Sequence, residues 1–195
     1  MELSLDISRR YTYADYLTWL DDIRRELING FIRLMSPAPR LVHAEVSANI
    51  TWHLGSVVRR NKGRCKVFAA PFDVRFPKDG ETSDEKIDTV VQPDICVICD
   101  LSKIDERGCC GAPDMIVEIL SPSSTKKDIT EKFALYEESG VKEYWIVYPA
   151  DKSIQVFLLQ GDGKYDTGTL YELAGKVPIS IFNNHLIDMD DIFER

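Results

Sequence analysis

The chain has 195 residues, 44% apolar and 29% charged, which suits one domain with a sizeable core. Aromatic content of 10%, with only 11 Gly and 9 Pro, excludes a disordered or fibrous chain. Its net charge of −8, from 32 acids against 24 bases, argues against a dedicated sequence-blind nucleic-acid binder, though not against an enzyme that meets a phosphodiester transiently through a local basic patch and a metal.

The first residues lack a basic start followed by an apolar stretch, so no secretory signal is expected and a cytoplasmic location is. Thr12 and Asp15 ahead of Tyr16, Leu17, Trp19 and Leu20 predict a capped short helix over 13–20. Asn29-Gly30 between Arg25–Ile28 and Phe31–Leu34 predicts a hairpin, because both turn positions tolerate positive φ. Ser36-Pro37-Ala38-Pro39 then breaks the chain. Val42, Val46, Ile50, Leu54 and Val57 recur at spacings of three and four, an amphipathic helix over 41–61. Arg59, Arg60, Lys62 and Arg64 close it, either as favourable partners of the helix dipole or as a phosphate-facing patch.

Cys65–Ala70 and Phe72–Phe76 read as strands, and 77–89 as a polar loop whose acids, Asp84 and Asp88 among them, are solvated. Buried strands are predicted over 94–99, Met115–Leu120 and Tyr144–Tyr148. The longest apolar runs, Ile95–Cys99 and Tyr144–Tyr148, are five residues long, against the roughly 20 of a membrane-spanning helix. A helix from Thr125 to Ser139, ended by Gly140, separates the last two strands. The tail over 153–182 alternates and predicts antiparallel strands, and Met189–Phe193 a short final helix. The result is an α/β or α+β single domain over 1–195: an N-terminal helix and hairpin (1–36), a core (40–150), and a β extension with a short helix (151–195).

The five cysteines are an odd set, and without a secretory signal they are expected to be reduced. Cys96 and Cys99 sit in one strand and point to opposite faces, so with Cys109-Cys110 they make a poor zinc site and better small buried hydrophobes.

Two acids stand out by context. Pro93-Asp94 opens a buried strand, and Glu118 lies inside the apolar run Met-Ile-Val-Glu-Ile-Leu, where an ionised carboxylate is costly unless paired or metal-bound. A strand-start cap for Asp94 and a structural salt bridge for Glu118 are the plain alternatives. Asp128, Lys132 and Tyr136, spaced by four, share one face of the following helix. If that helix folds back on the sheet, Lys132 lies about 9 Å along it and Glu118 about 7 Å back along the strand, so the two side chains can meet.

These residues carry a resemblance. Val-Gln-Pro-Asp94-Ile, Gly111-Ala-Pro-Asp-Met-Ile-Val-Glu118-Ile-Leu-Ser-Pro-Ser, then Asp128, Lys132, Tyr136 and Gly140-Val-Lys-Glu-Tyr-Trp-Ile-Val, resemble the family named putative restriction endonuclease, or Uma. Upstream, Arg-Glu26-Leu-Ile-Asn-Gly30 and Ser-Pro-Ala-Pro-Arg-Leu-Val-His43 look like its N-terminal signature; the likeness spans about residues 11 to 160. It implies a restriction-endonuclease-like PD-(D/E)XK core, helix-strands-helix-strand, and a metal-dependent DNA endonuclease. Asp94, Glu118 and the Ile119 carbonyl would then hold Mg²⁺ or Mn²⁺, whose bound water becomes the nucleophile. The lysine that usually follows the second carboxylate by two residues is Leu120 here, so Lys132 must supply the amine from the helix. Glu26 is expected as a further acid, with Glu45 its competitor, and His43 orients a water or phosphate or has a backbone partner. Asp114 matches the family segment and is expected to brace the strand entrance. Lys132→Ala is expected to remove cleavage while leaving folding nearly intact.

No Gly-x-Ser-x-Gly elbow, P-loop or Gly-x-Gly-x-x-Gly occurs, so serine-hydrolase and nucleotide-cofactor readings lack support. The other reading is a catalytically inactive nuclease-fold dimer acting as an interaction or binding module; a glycosidase ranks third. A homodimer is expected on general grounds, with DNA as a transient partner and no membrane partner.

Overall fold

The computed structural model describes residues 5–35, 41–60, 64–122 and 125–193. The expected break at Ser36–Pro39 and Lys62 of the basic cluster lie outside them.

In chain order the elements are α1 (Tyr13–Tyr16), β1 (Arg25–Ile28), β2 (Phe31–Leu34), α2 (Leu41–Arg60), β3 (Lys66–Ala69), β4 (Val74–Arg75), β5 (Val90–Val91), β6 (Ile95–Ile98), β7 (Ile104–Asp105), β8 (Gly108–Cys110), β9 (Met115–Ile119), α3 (Lys126–Ser139), β10 (Glu143–Tyr148), β11 (Ser153–Leu158), β12 (Thr169–Tyr171), β13 (Lys176–Ile179), β14 (His185–Asp188) and α4 (Met189–Phe193). No described helix is long and apolar enough to cross a membrane.

Locally encoded elements form as their sequences predict. Thr12 and Asp15 make a reciprocal cap on α1, although the helix stops at Tyr16, leaving Leu17 and Leu20 exposed rather than on a buried face. Asn29 and Gly30 take φ of 53° and 82° between β1 and β2. Thr125 and Asp128 form a second capping box on α3, and Gly140 ends it in the left-handed region.

The central sheet runs β12-β11-β10-β9-β6-β3, with β9 parallel to β10 and antiparallel to β6. Strand alternation gives it two apolar faces. Val97, Met115, Val117 and Trp145 pack on Val46, Ile50, Leu54 and Val57 of α2, together with β13, β14 and α4. Cys96, Ile116, Tyr144 and Ile146 pack on the side of Tyr136 and Val141. A second sheet, β2-β1-β5-β4-β8-β7, absorbs the N-terminal hairpin through the pairing of β1 with β5.

Several expectations are corrected. The strand expected over 72–76 shortens to two residues, and β7, β8 and β14 were not anticipated: β8 is fixed by its parallel pairing with the chain-distant β4, and β7 and β14 by short antiparallel pairs with β8 and β13. The loop acids are not simply solvated: Asp88 pairs with Lys78 and Asp84 with Arg107. Cys96 and Cys99 do face opposite sides, but Cys65 and Cys99 form a disulfide where reduced thiols were expected. The pairing of β3 with β6 brings these two chain-distant residues to the same end of the strand pair, a proximity that spacing does not reveal.

Candidate active site

The site is built around one cross-strand pair. Met115, Val117 and Ile119 of β9 face α2, so Glu118 faces α3. Ile95 of β6 stands opposite Val117, and continuing that register by one residue sets Asp94 opposite Glu118 on the same face. Residues so opposed have Cβ atoms about 4.5–5.5 Å apart, and like charges there repel.

Backbone polarity orients the rest. The Leu120 N–H donates to the Val147 carbonyl in β10, whereas the Ile119 N–H donates to Asp94 Oδ2 at 2.7 Å. The N–H and C=O of one strand residue point to the same side, so the Ile119 carbonyl also faces Asp94. From α2, His43 Nε2 lies 3.3 Å from Asp94 Oδ2. That carboxylate holds the imidazole pKa above its ordinary value against the opposing effect of burial.

Lys132 enters from α3. Its Nζ donates to Glu118 Oε1 at 2.9 Å and to Glu26 Oε1 at 3.0 Å. One turn later, the Tyr136 hydroxyl donates to the same Glu118 oxygen at 2.6 Å. Glu26 Oε1 also accepts the Gln92 N–H at 2.8 Å. Burial pushes the Glu118 carboxyl above the ordinary carboxylate range; Lys132 opposes this, and the Asp94 and Glu26 charges reinforce it. Burial alone would lower the Lys132 pKa, but Glu118 and Glu26 outweigh it and hold the amine protonated.

Glu26, His43, Asp94, Glu118, Ile119 and Lys132 all line one cavity of about 960 Å³, large enough for a small ligand or part of a polymer. Among the described residues no three His, Cys, Asp or Glu side chains cluster as a metal cage. Two carboxylates and a carbonyl are nevertheless an oxygen set that suits Mg²⁺, which keeps several waters. The described hydrogen bonds are accepted by Asp94 Oδ2 and Glu118 Oε1, leaving Oδ1 and Oε2 as the oxygens that could ligate an ion. The residues present therefore fit a hard divalent ion.

The remaining candidates separate clearly. Glu45 is not brought to the cavity; it lines a small separate cleft with Asn49, Ile192 and Phe193. Helical phase explains this, since His43 and Glu45 are two residues apart and point to different sides of α2. Asp128 borders the cavity, but its carboxylate turns back to cap Thr125. Asp114 takes the bracing role, accepting the Cys99 N–H at 2.7 Å and Lys142 Nζ at 2.6 Å. Leu120 lines the same cavity as Lys132.

Sequence reasoning missed Gln92, whose Nε2 donates to Asp73 and Tyr16 while its backbone holds Glu26. It also missed the Arg33–Glu131 ion pair and Trp52 at the cavity wall. An exposed Trp in an otherwise regular amphipathic helix was the one available signal.

A family model for Uma2, described as "Putative restriction endonuclease", matches residues 13–181. No curated protein matches the chain. Among solved structures, the chain is similar to one titled a putative nuclease belonging to DUF820 from Anabaena variabilis ATCC 29413, with a TM-score of 0.72, 23% identity, and coverage of 94% of this chain and 97% of that one. The mixed α+β architecture is thus of the restriction-endonuclease-like kind that the sequence resemblance implies.

Proposed function

The chain belongs to the Uma2 family, and on that premise we propose that it is a metal-dependent endonuclease hydrolysing phosphodiester bonds in DNA. Asp94, Glu118 and the Ile119 carbonyl would hold Mg²⁺ or Mn²⁺. The observation that carries this reading is the placement of Asp94 opposite Glu118 at a cavity wall, with Lys132 Nζ 2.9 Å from Glu118. When bound, the ion supplies an acidified water and neutralises charge developing on the phosphate.

The chain's own groups do the positioning. Lys132 places a fixed positive charge in a site largely shielded from water, where it favours the negative charge of the transition state. Glu26 holds that amine from the far side, and Tyr136 fixes the rotamer of Glu118. His43, with Nε2 on Asp94, positions that carboxylate at the cavity wall. Lys132 thus replaces the strand lysine whose place Leu120 occupies.

The test is incubation of circular duplex DNA and of circular single-stranded DNA with Mg²⁺ or Mn²⁺, beside an EDTA control and Asp94→Ala. Metal-dependent cleavage of either form by the wild type alone supports the reading. The absence of cleavage and of metal binding over a range of salt favours the inactive interaction module instead. A cytoplasmic homodimer belongs to the same proposal. Light scattering at twice the chain mass of 22.2 kDa would support the dimer.

A further inference from the structure

We infer that Trp52 is a stacking platform for an unpaired base, so that this site takes nucleic acid that is single-stranded or branched near the scissile phosphate rather than intact duplex. The inference rests on the nuclease reading of the same cavity and adds its substrate class.

Trp52 lies on α2 nine residues after His43, about 13 Å along the helix axis, and lines the same cavity. It is 63% exposed, an expensive placement for the largest apolar side chain unless something covers it. The two preceding turns carry Ala48 and Ala44, both also at the cavity wall. Their methyl groups leave room on the side toward which helical side chains lean. The His53 ring packs edge-on at 4.7 Å, steadying the indole without filling the cavity. Leu34, itself 70% exposed, and Met35 extend the apolar wall.

Charge points the same way. A duplex binder gains affinity chiefly by neutralising many backbone phosphates. Here the net charge is −8. Of the three lysines and arginines lining the cavity among the described residues, Arg33 is engaged by Glu131 and Lys132 by Glu118 and Glu26, while Arg24 alone, bonded to the neutral Gln92, keeps its charge uncompensated. A single strand draws instead on base–aromatic stacking, which any base supplies once it is unstacked from its neighbours. Trp52 and the Asp94–Glu118 pair line the same cavity, so a strand whose phosphate sits at that pair can lay a nearby base on the indole.

The test measures binding of a labelled single strand and of its duplex to the full-length protein in Ca²⁺, with strand integrity checked on a gel. The wild type should bind the single strand more tightly, with quenching of indole fluorescence. Trp52→Ala should weaken single-strand binding about 5- to 150-fold, lose the quenching and leave duplex binding unchanged, whereas Trp52→Phe should retain most of the affinity. Equal wild-type affinity for duplex and single strand, or wild-type strand binding by Trp52→Ala, overturns the inference. Cleavage by Asp94→Asn is measured in parallel. Wild-type cleavage by that variant overturns the nuclease assignment of the site and the substrate assignment with it. Loss of cleavage beside normal strand binding by Trp52→Ala overturns the stacking alone.

Discussion

Lys132 and Glu118 are 14 residues apart in sequence, and the amine of one lies 2.9 Å from a carboxylate oxygen of the other. The same amine reaches Glu26, 106 residues away, at 3.0 Å. One side chain of α3 therefore ties the strand carrying Glu118 to the strand carrying Glu26, which belongs to the other sheet. This gives Lys132 a structural duty beside any catalytic one.

Lys132→Ala should therefore destabilise the protein, contrary to the expectation from helix propensity alone. It leaves two carboxylates, only 6% and 12% exposed, without their cation. Breaking a buried pair by removing one partner costs about 3–5 kcal/mol. Urea unfolding at neutral pH should show a loss of about 3 kcal/mol, shrinking in acid as Glu118 protonates. An unchanged midpoint would mean that the bridge carries no net stability.

The opposed Asp94 and Glu118 charges predict stabilisation by divalent ions. With Mn²⁺ at about 100 times its Kd the gain is about 2.7 kcal/mol, a rise of roughly 5–10 °C in Tm for a chain of this size. Asp94→Asn should lose most of the rise. An equal rise in wild type and variant would place the ion elsewhere.

The pH dependence of the metal-free protein has a definite sign. Burial raises the folded Glu118 pKa above its ordinary value of 4.5. The folded state then binds more protons than the unfolded state above pH 4.5, so stability falls as pH rises from there toward neutrality. His43, also raised, adds a loss that begins above its ordinary value of 6.5. Glu118→Gln should flatten the lower part of the profile and His43→Gln the upper part. Stability rising with pH across 4.5–7 in the wild type, and not in Glu118→Gln, would reverse the assignment.

Features that depend on a few adjacent residues were legible in the sequence. Asn29-Gly30 specifies its turn, Thr125 with Asp128 its cap, and the apolar run around Glu118 its strand. The meeting of Lys132 with Glu118 followed from helix rise and strand rise, because the connection between them is short. Contacts between distant segments were not legible. Nothing near Glu26 announces Lys132 or the Gln92 N–H, and nothing in the spacing of Cys65 and Cys99 announces that β3 pairs with β6. Glu45 shows the converse error: its residue type suited a metal site, but helical phase turns it to the other side of α2.

Adding Leu120→Lys to Lys132→Ala returns an amine to the cavity, since Leu120 lies two residues after Glu118 on the same strand face. Part of the cleavage lost in the single variant should return. The unpaired Glu26 and a polar head replacing Leu120 should keep recovery incomplete. Matched single-turnover rates check this, and a double variant no more active than Lys132→Ala would show that the amine must come from α3.

The most direct measurement is the single-turnover cleavage rate of DNA as Mn²⁺ is titrated, with metal occupancy followed on the same samples, in wild type and Asp94→Asn. If Asp94 and Glu118 hold the working ion, the wild-type rate climbs with occupancy to a plateau, and Asp94→Asn shows neither tight binding nor cleavage. Cleavage by Asp94→Asn at the wild-type rate, or wild-type occupancy reaching saturation without any cleavage, would contradict this site as a metal-dependent nuclease centre.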